Sequence, residues 1–135
     1  MPPSPDARIA AFLDGRPFAV VGASRDRGKY GNKVLRCYLQ NGCEVLPINP
    51  GEAQIEGVPC YPTLAAAPGP IHAASIITPP EVTETIVEEA AAAGVRHLWM
   101  QPGAESPRAI ERAAQIGLEV IAGGPCVLVV LGFRE

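Results

Sequence analysis

The chain has 135 residues, 47% of them apolar and few aromatic, with a net charge of −3. This is the size of one domain with a sizeable core, and no run approaches the ~20 apolar residues a membrane span needs. A generally acidic chain also lacks the broad basic footprint that nucleic-acid binding requires.

The opening residues, Met1-Pro2-Pro3-Ser4-Pro5-Asp6, do not lead a basic stretch into an apolar one. No secretory leader is expected, and the expected location is cytoplasmic. Ser4-Pro5-Asp6 reads as an N-cap with proline in the first turn, and Gly15 stops that helix. Phe18 to Val21 is a short apolar strand ending at Gly22. Gly31 to Asn41 is a helix with Val34, Leu35, Tyr38 and Leu39 on one face and Gly42 after its end. Glu44 to Ile48 is a second strand, whose Pro47 favours an end or a distorted stretch.

A looser passage runs from Asn49 to Pro62, followed by a short helix around Thr63 to Ala67. Ala73 to Ile77 is a third strand, and Thr78-Pro79-Pro80-Glu81 opens a long helix that Gly94 closes, Thr78 serving as the capping hydroxyl. Val95 to Met100 is a fourth strand; Ser106-Pro107 starts another helix, ended by Gly117. Leu118 to Ala122 is a fifth strand, and Val127 to Leu131 is one further apolar run.

Strands that are apolar throughout and alternate with helices predict a parallel sheet covered on both faces. The expected fold class is therefore α/β: a single doubly wound, Rossmann-like domain over residues 1–135, with five or six mostly parallel strands. Right-handed crossovers are expected to give the order 3-2-1-4-5, with ligands held outside the carboxyl ends of the strands at the switch point beside strand one.

Gly22-Ala23-Ser24-Arg25, Asn49-Pro50-Gly51, Thr78-Pro79-Pro80, Met100 to Gly103 and Gly123 to Cys126 all end at that edge. Gly22 lets the chain turn sharply, and small Ala23 and Ser24 let a phosphate approach backbone N–H groups at a helix N-terminus. Residues 25 to 36 carry Arg25, Arg27, Lys29, Lys33 and Arg36 against Asp26 alone, a balance of +4 that leaves −7 to the rest. A basic segment at this edge of an acidic body points to a small anionic, nucleotide-type ligand. The pattern G-A-S-x-x-x-G-x-x-G differs from the dinucleotide fingerprint. Strand two also ends in Ile48-Asn49-Pro50, where an acid roughly 20 residues past the first glycines would bind a ribose, so NAD is disfavoured.

Four cysteines, at 37, 43, 60 and 126, form no C-x-x-C pair and have no matching histidine spacing, which disfavours a zinc or redox motif. Cys37, Cys43 and Cys60 read as small apolar side chains. Cys126 follows strand five at the ligand edge, where it either packs the crevice or offers a reactive thiol.

V-V-G-A-S, I-N-P-G, G-V-P-C-Y-P-T-L, I-T-P-P, L-W-M-Q-P-G and the late P-C occur in this order from Val20 to Cys126. In this the chain resembles the small bacterial CoA-binding proteins, themselves similar to the N-terminal CoA-binding domain of the succinyl-CoA synthetase alpha subunit. The resemblance implies that Gly22, Ala23, Ser24 and Arg25 meet CoA phosphates, with Lys29 in the same basic loop. It implies Asn49 and Pro50 near the adenosine, Thr78, Pro79 and Pro80 along the nucleotide, and Met100 and Gln101 towards the pantetheine. After N-P-G the larger relatives place a basic residue where this chain has Glu52.

Those synthetases phosphorylate a histidine on a second domain. His72 and His97, the only histidines, fall at the start of strand three and within strand four, with no base–orienter partner in sequence. Two function classes follow. One is a non-catalytic module binding coenzyme A or an acyl-CoA. The other is a nucleotide-dependent enzyme, either an NAD(P) oxidoreductase or half of an acyl-CoA ligase completed by a partner chain.

Overall fold

The computed structural model describes residues 4–135; the N-terminal stretch read above for a leader begins in residues 1–3, outside the described residues. Helix α1 (Pro5–Leu13) is capped by Ser4, whose Oγ accepts the Ala7 N–H at 3.1 Å. Strand β1 (Phe18–Val21) leads through a glycine loop into α2 (Tyr30–Gln40), which returns to β2 (Val45–Ile48). Strands β3 (Gln54–Ile55) and β4 (Val58–Pro59) form a small antiparallel hairpin. Then follow β5 (Ala73–Ile76), α3 (Pro80–Ala92), β6 (His97–Met100), α4 (Pro107–Gln115), β7 (Glu119–Ile121) and α5 (Val127–Leu131).

The main sheet has five parallel strands in the order β2-β1-β5-β6-β7. Counting only its own strands this is 2-1-3-4-5, not the expected 3-2-1-4-5. The third strand, Ala73–Ile76, crosses over β1 and docks on its far side instead of beyond β2. Both orders satisfy right-handed crossovers, so sequence periodicity does not choose between them.

One open alternative is settled and two smaller expectations are corrected. The apolar run Val127–Leu131 is a helix packed on α2, so it adds no sixth strand. Thr63–Ala67 is a turn closed by Ala66 and Ala67 N–H bonds to the Thr63 and Leu64 carbonyls. Thr78 does not cap α3: Pro79 occupies that position, and the Thr78 hydroxyl pairs instead with that of Thr83 at 2.7 Å.

Alternation along each strand builds the two layers. Phe18 and Val20 join Phe12, Leu35, Tyr38 and Trp99 under α1, α2 and α5. Ala19, Val21, Ala74, Ile76 and Leu98 join Ile86, Val87 and Ala113 under α3 and α4. The one polar inward position of central β5, Ser75, is satisfied by the Tyr38 hydroxyl at 2.6 Å. Pro47, which can give no ladder hydrogen bond, sits on edge strand β2, where its carbonyl accepts the Tyr61 N–H at 3.0 Å. Among the described residues, no helix is long and apolar enough to cross a membrane, and no group of three His, Cys, Asp or Glu is placed to hold a metal.

Candidate functional site

Val21 pairs in register with both Ile48 and Ile76, and Ile76 with Met100, so four strands end level at one edge. At that edge Gly22 has φ +96°, and a Cβ there would lie 2.3 Å from the Ile77 carbonyl oxygen. Only glycine fits that turn beside β5. Gly31, in the first turn of α2, packs as closely: its Cβ would lie 2.0 Å from the Gly22 carbonyl oxygen. The two glycines press the helix N-terminus onto the loop.

Two side chains fix the loop from within. Ser24 Oγ accepts the Asp26 N–H at 3.0 Å, and Asp26 Oδ1 accepts the Gly28 N–H at 2.9 Å. Two more tie it to its surroundings. Asn49 donates to the Ala23 carbonyl at 2.8 Å and accepts the Gly51 N–H at 2.7 Å, so its amide is spent on holding the exits of β1 and β2 together. Asn32 donates to the Ser24 carbonyl at 2.9 Å and to Glu56 at 3.1 Å, and accepts from buried Arg36 at 2.6 Å.

This framework leaves a cleft of about 430 Å³ lined by Gly22, Ala23, Ser24, Lys29, Tyr30, Gly31, Asn49 and Ile77. No side chain caps α2, so its first N–H groups and the positive end of its dipole face the space that Lys29 borders. A second cleft, about 250 Å³, continues past Tyr30 and Ile77 to Thr78, Pro79, Pro102 and Gly103. A third, about 420 Å³, lies on the outer side of the loop between Arg25 and the β3–β4 hairpin.

The basic cluster divides among these places. Arg25 pairs with Glu52 at 3.7 Å and Arg27 with Glu56 at 3.8 Å. Lys33 pairs with Glu135 at 3.2 Å, and Arg36 donates to the Arg27 carbonyl at 3.0 Å. Lys29 makes no ion pair among the described residues and is the charged side chain of the inner cleft.

Of the residues singled out from sequence, Gly22, Ala23, Ser24, Lys29 and Asn49 meet in the inner cleft and Thr78 and Pro79 in its continuation. Arg25 lines the outer cleft; Pro50 is exposed, two residues before Glu52 of the same cleft, and Pro80 begins α3. Met100 is wholly buried in the core beneath the edge. Gln101 is buried too: its Oε1 accepts the Val127 N–H at 3.0 Å and the Tyr30 hydroxyl at 3.3 Å, while its Nε2 has no partner.

Tyr30, absent from the sequence-derived set, is the residue both clefts share. Burial, reinforced by contact with the Cys126 thiol, raises its hydroxyl above the ordinary tyrosine value, so it stays a protonated donor. The sequence signal was an aromatic immediately before the close-packed glycine at a helix start. Cys126 is half-buried against that hydroxyl; Cys37 is fully buried, and burial pushes its thiol up to about 11. His72 and His97 lie together at the opposite end of the sheet, ring centroids 5.0 Å apart, away from all three clefts.

Comparison with known proteins gives this arrangement a context. The alpha subunit of the ADP-forming acetate–CoA ligase II of Pyrococcus furiosus is 29% identical over 127 residues, covering 86% of this chain and 28% of that subunit. Such curated relatives are much longer proteins, of which the matched region spans 10% to 28%. A conserved hypothetical protein from Pyrococcus furiosus superposes with a TM-score of 0.81 at 39% identity, covering 86% of this chain and 99% of that one. The dinucleotide forming acetyl-coenzyme A synthetase 1 of Ca. Korarchaeum cryptofilum, solved with phosphate and ADP, superposes at 0.70 and 31% identity over 80% of this chain and 25% of its own. From residue 16 to residue 132 the sequence matches the model of the CoA binding domain family, and the chain belongs to that family.

Proposed function

We propose that this chain binds coenzyme A or a short acyl-CoA at the carboxyl edge of its sheet and does not itself turn it over. The observation that carries the reading is the inner cleft, where a glycine-shaped loop, an uncapped helix N-terminus and Lys29 converge. That combination suits a diphosphate: backbone N–H groups and a dipole supply fixed donors, and one ammonium supplies charge. Gly22, Ala23 and Ser24 hold the diphosphate, and the adenosine runs outward past Asn49, Pro50 and Arg25. The pantetheine follows the continuation between Thr78, Pro79 and Pro102, with the Tyr30 hydroxyl as a donor along the way. Asn49 argues against NAD, because its amide is occupied by the loop and no acid takes its place at the end of β2. The cytosol remains the proposed location.

A second reading is favoured by the relatives. The Pyrococcus furiosus match is one subunit of an acetate–CoA ligase, and on this second reading the chain is one half of an acyl-CoA ligase that needs a partner chain. In this chain the histidines stand away from the ligand edge and supply no phosphate acceptor there.

A thermal-shift panel of CoA, acetyl-CoA, NAD, NADP and ATP tests the ligand, and a thioester assay on the chain alone tests the absence of turnover. Binding to the native state raises the melting temperature, by an amount equivalent to about 2.7 kcal/mol at a ligand concentration 100 times Kd. Selective stabilisation by CoA, with no thioester formed from acetate, ATP and CoA by the purified chain, is expected. Equal or stronger stabilisation by NAD refutes the ligand assignment; thioester formation by the chain alone refutes the non-catalytic one.

A further inference from the structure

The two clefts on either side of the Ser24–Arg25 loop differ in charge. The inner one is lined by Lys29 as its charged side chain. The outer one is lined by one guanidinium, Arg25, against two carboxylates, Glu52 and Glu56. Both carboxylates already lie on the loop's cations, Glu52 on Arg25 at 3.7 Å and Glu56 on Arg27 at 3.8 Å. They are not held equally. Glu56 also accepts from Asn32 at 3.1 Å and sits at φ +52° in the hairpin turn, so it belongs to the scaffold of the loop. Glu52 has the Arg25 pair alone, with the arginine side chain 72% exposed.

The geometry points to Glu52 as a specificity-determining residue that makes the site favour an adenosine diphosphate moiety with a free ribose 3′-hydroxyl over one bearing a 3′-phosphate. This rests on the reading above, in which the diphosphate occupies the inner cleft and the adenosine passes outward over Asn49 and Pro50. A ribose leaving in that direction arrives between Arg25 and Glu52. A phosphate monoester there carries close to two negative charges, must compete with Glu52 for Arg25, and then remains beside both carboxylates. A hydroxyl meets none of this repulsion. Exposed ion pairs are weak, so the penalty is a bias and not a block.

The experiment is a pair of titrations, CoA and dephospho-CoA, on the wild type, Glu52→Gln and Arg25→Gln at low salt. In the wild type dephospho-CoA binds at least as tightly as CoA. Glu52→Gln shifts the affinity ratio towards CoA by about fivefold, a shift that shrinks as salt screens the carboxylate. Arg25→Gln, which leaves Glu52 without its cation, moves the ratio the other way. Melting temperatures near that of the wild type are expected for both surface variants. Wild-type binding of CoA tighter than dephospho-CoA, or a ratio unmoved or moved in the opposite direction by Glu52→Gln, overturns this inference and leaves CoA binding standing. If neither ligand binds the wild type, the CoA reading falls and the inference with it.

Discussion

Gly31→Ala isolates the contact on which the inner cleft depends. The added methyl would lie 2.0 Å from the Gly22 carbonyl oxygen, 3.0 Å from its carbon and 3.3 Å from the Ala23 Cα. All three are backbone atoms, so no side chain can swing aside. Helix α2 and the loop must separate by more than about 1 Å to reach ordinary van der Waals contact. Elsewhere in a helix the same change gains close to 1 kcal/mol from propensity, whereas overpacking a tight contact costs about 1–3 kcal/mol. With backbone on both sides the clash is at the upper end, for a net loss of about 1–2 kcal/mol. In a chain of this size that lowers the melting temperature by about 3–8 °C. The same displacement pulls the loop N–H groups away from those of α2, so CoA should bind at least about tenfold more weakly, as hydrogen bonds degrade steeply with misplacement. Thermal melts followed by circular dichroism give the first quantity and calorimetric titration the second. Gly51→Ala serves as control, because its Cβ would meet only Asn49 Oδ1 at an ordinary 3.6 Å. A Gly31→Ala protein as stable as the wild type would show that helix and loop do not approach this closely, and would remove the basis for the phosphate cradle.

Ser24→Leu puts bulk where a phosphate must meet backbone and removes the acceptor of the Asp26 N–H; CoA affinity should fall at least about tenfold with a native spectrum, and unchanged affinity would place the site elsewhere. Phe12→Ala empties a fully buried position stacked on Phe18 and set edge-on to Trp99 at centroid distances of 5.6 and 5.2 Å. A loss of about 3–5 kcal/mol is expected in chemical denaturation, and a loss below 1 kcal/mol would mean that α1 is not docked on the core. Burial, with His72 beside it, holds His97 below its ordinary value against an opposing effect of Glu119. The unfolded chain then binds that proton more readily, so stability is complete above about pH 6.5 and declines as the pH falls through the folded value. Melting temperature should depend less on pH between 7.5 and 5.5 in His97→Gln than in the wild type, and identical slopes would acquit His97.

What the sequence disclosed followed from signals that are local. The five sheet strands are apolar runs cut off by glycine or proline, and Ser4 and Ser106 cap their helices as their spacing with proline predicts. The β3–β4 hairpin was missed because two residues per strand are too few for a period to register. The available clue was Glu56-Gly57 between two β-branched residues, both turn positions adopting positive φ. Val127–Leu131 has the β-branched composition of a strand, and packing against α2 makes it a helix. In the site, Gly22 and Ser24 were legible because a steric requirement selects the residue type. Tyr30, Asn32 and Glu56 were not, because Tyr30 acts with Cys126, 96 residues on, and Asn32 and Glu56 meet across 24 residues.

The strand order bears directly on the site. In the expected 3-2-1-4-5 arrangement the third strand would lie beyond β2, and the Thr78-Pro79-Pro80 exit would open at the far edge of the sheet, remote from Gly22. In the observed order β5 lies against β1, and the ladder continues past both strands, with the Ile77 N–H on the Val21 carbonyl at 2.8 Å. Thr78 thereby becomes the neighbour of the loop, its Cγ2 3.4 Å from where a Gly22 Cβ would stand. This explains why glycine is required at position 22: the constraint comes from β5 and not from the turn alone. It also explains how one continuous groove connects Ser24, Tyr30 and Pro79, since both walls are the exits of adjacent strands. On the proposed reading, CoA following that groove sets its diphosphate beside the glycine loop and its extended arm along Thr78 and Pro79.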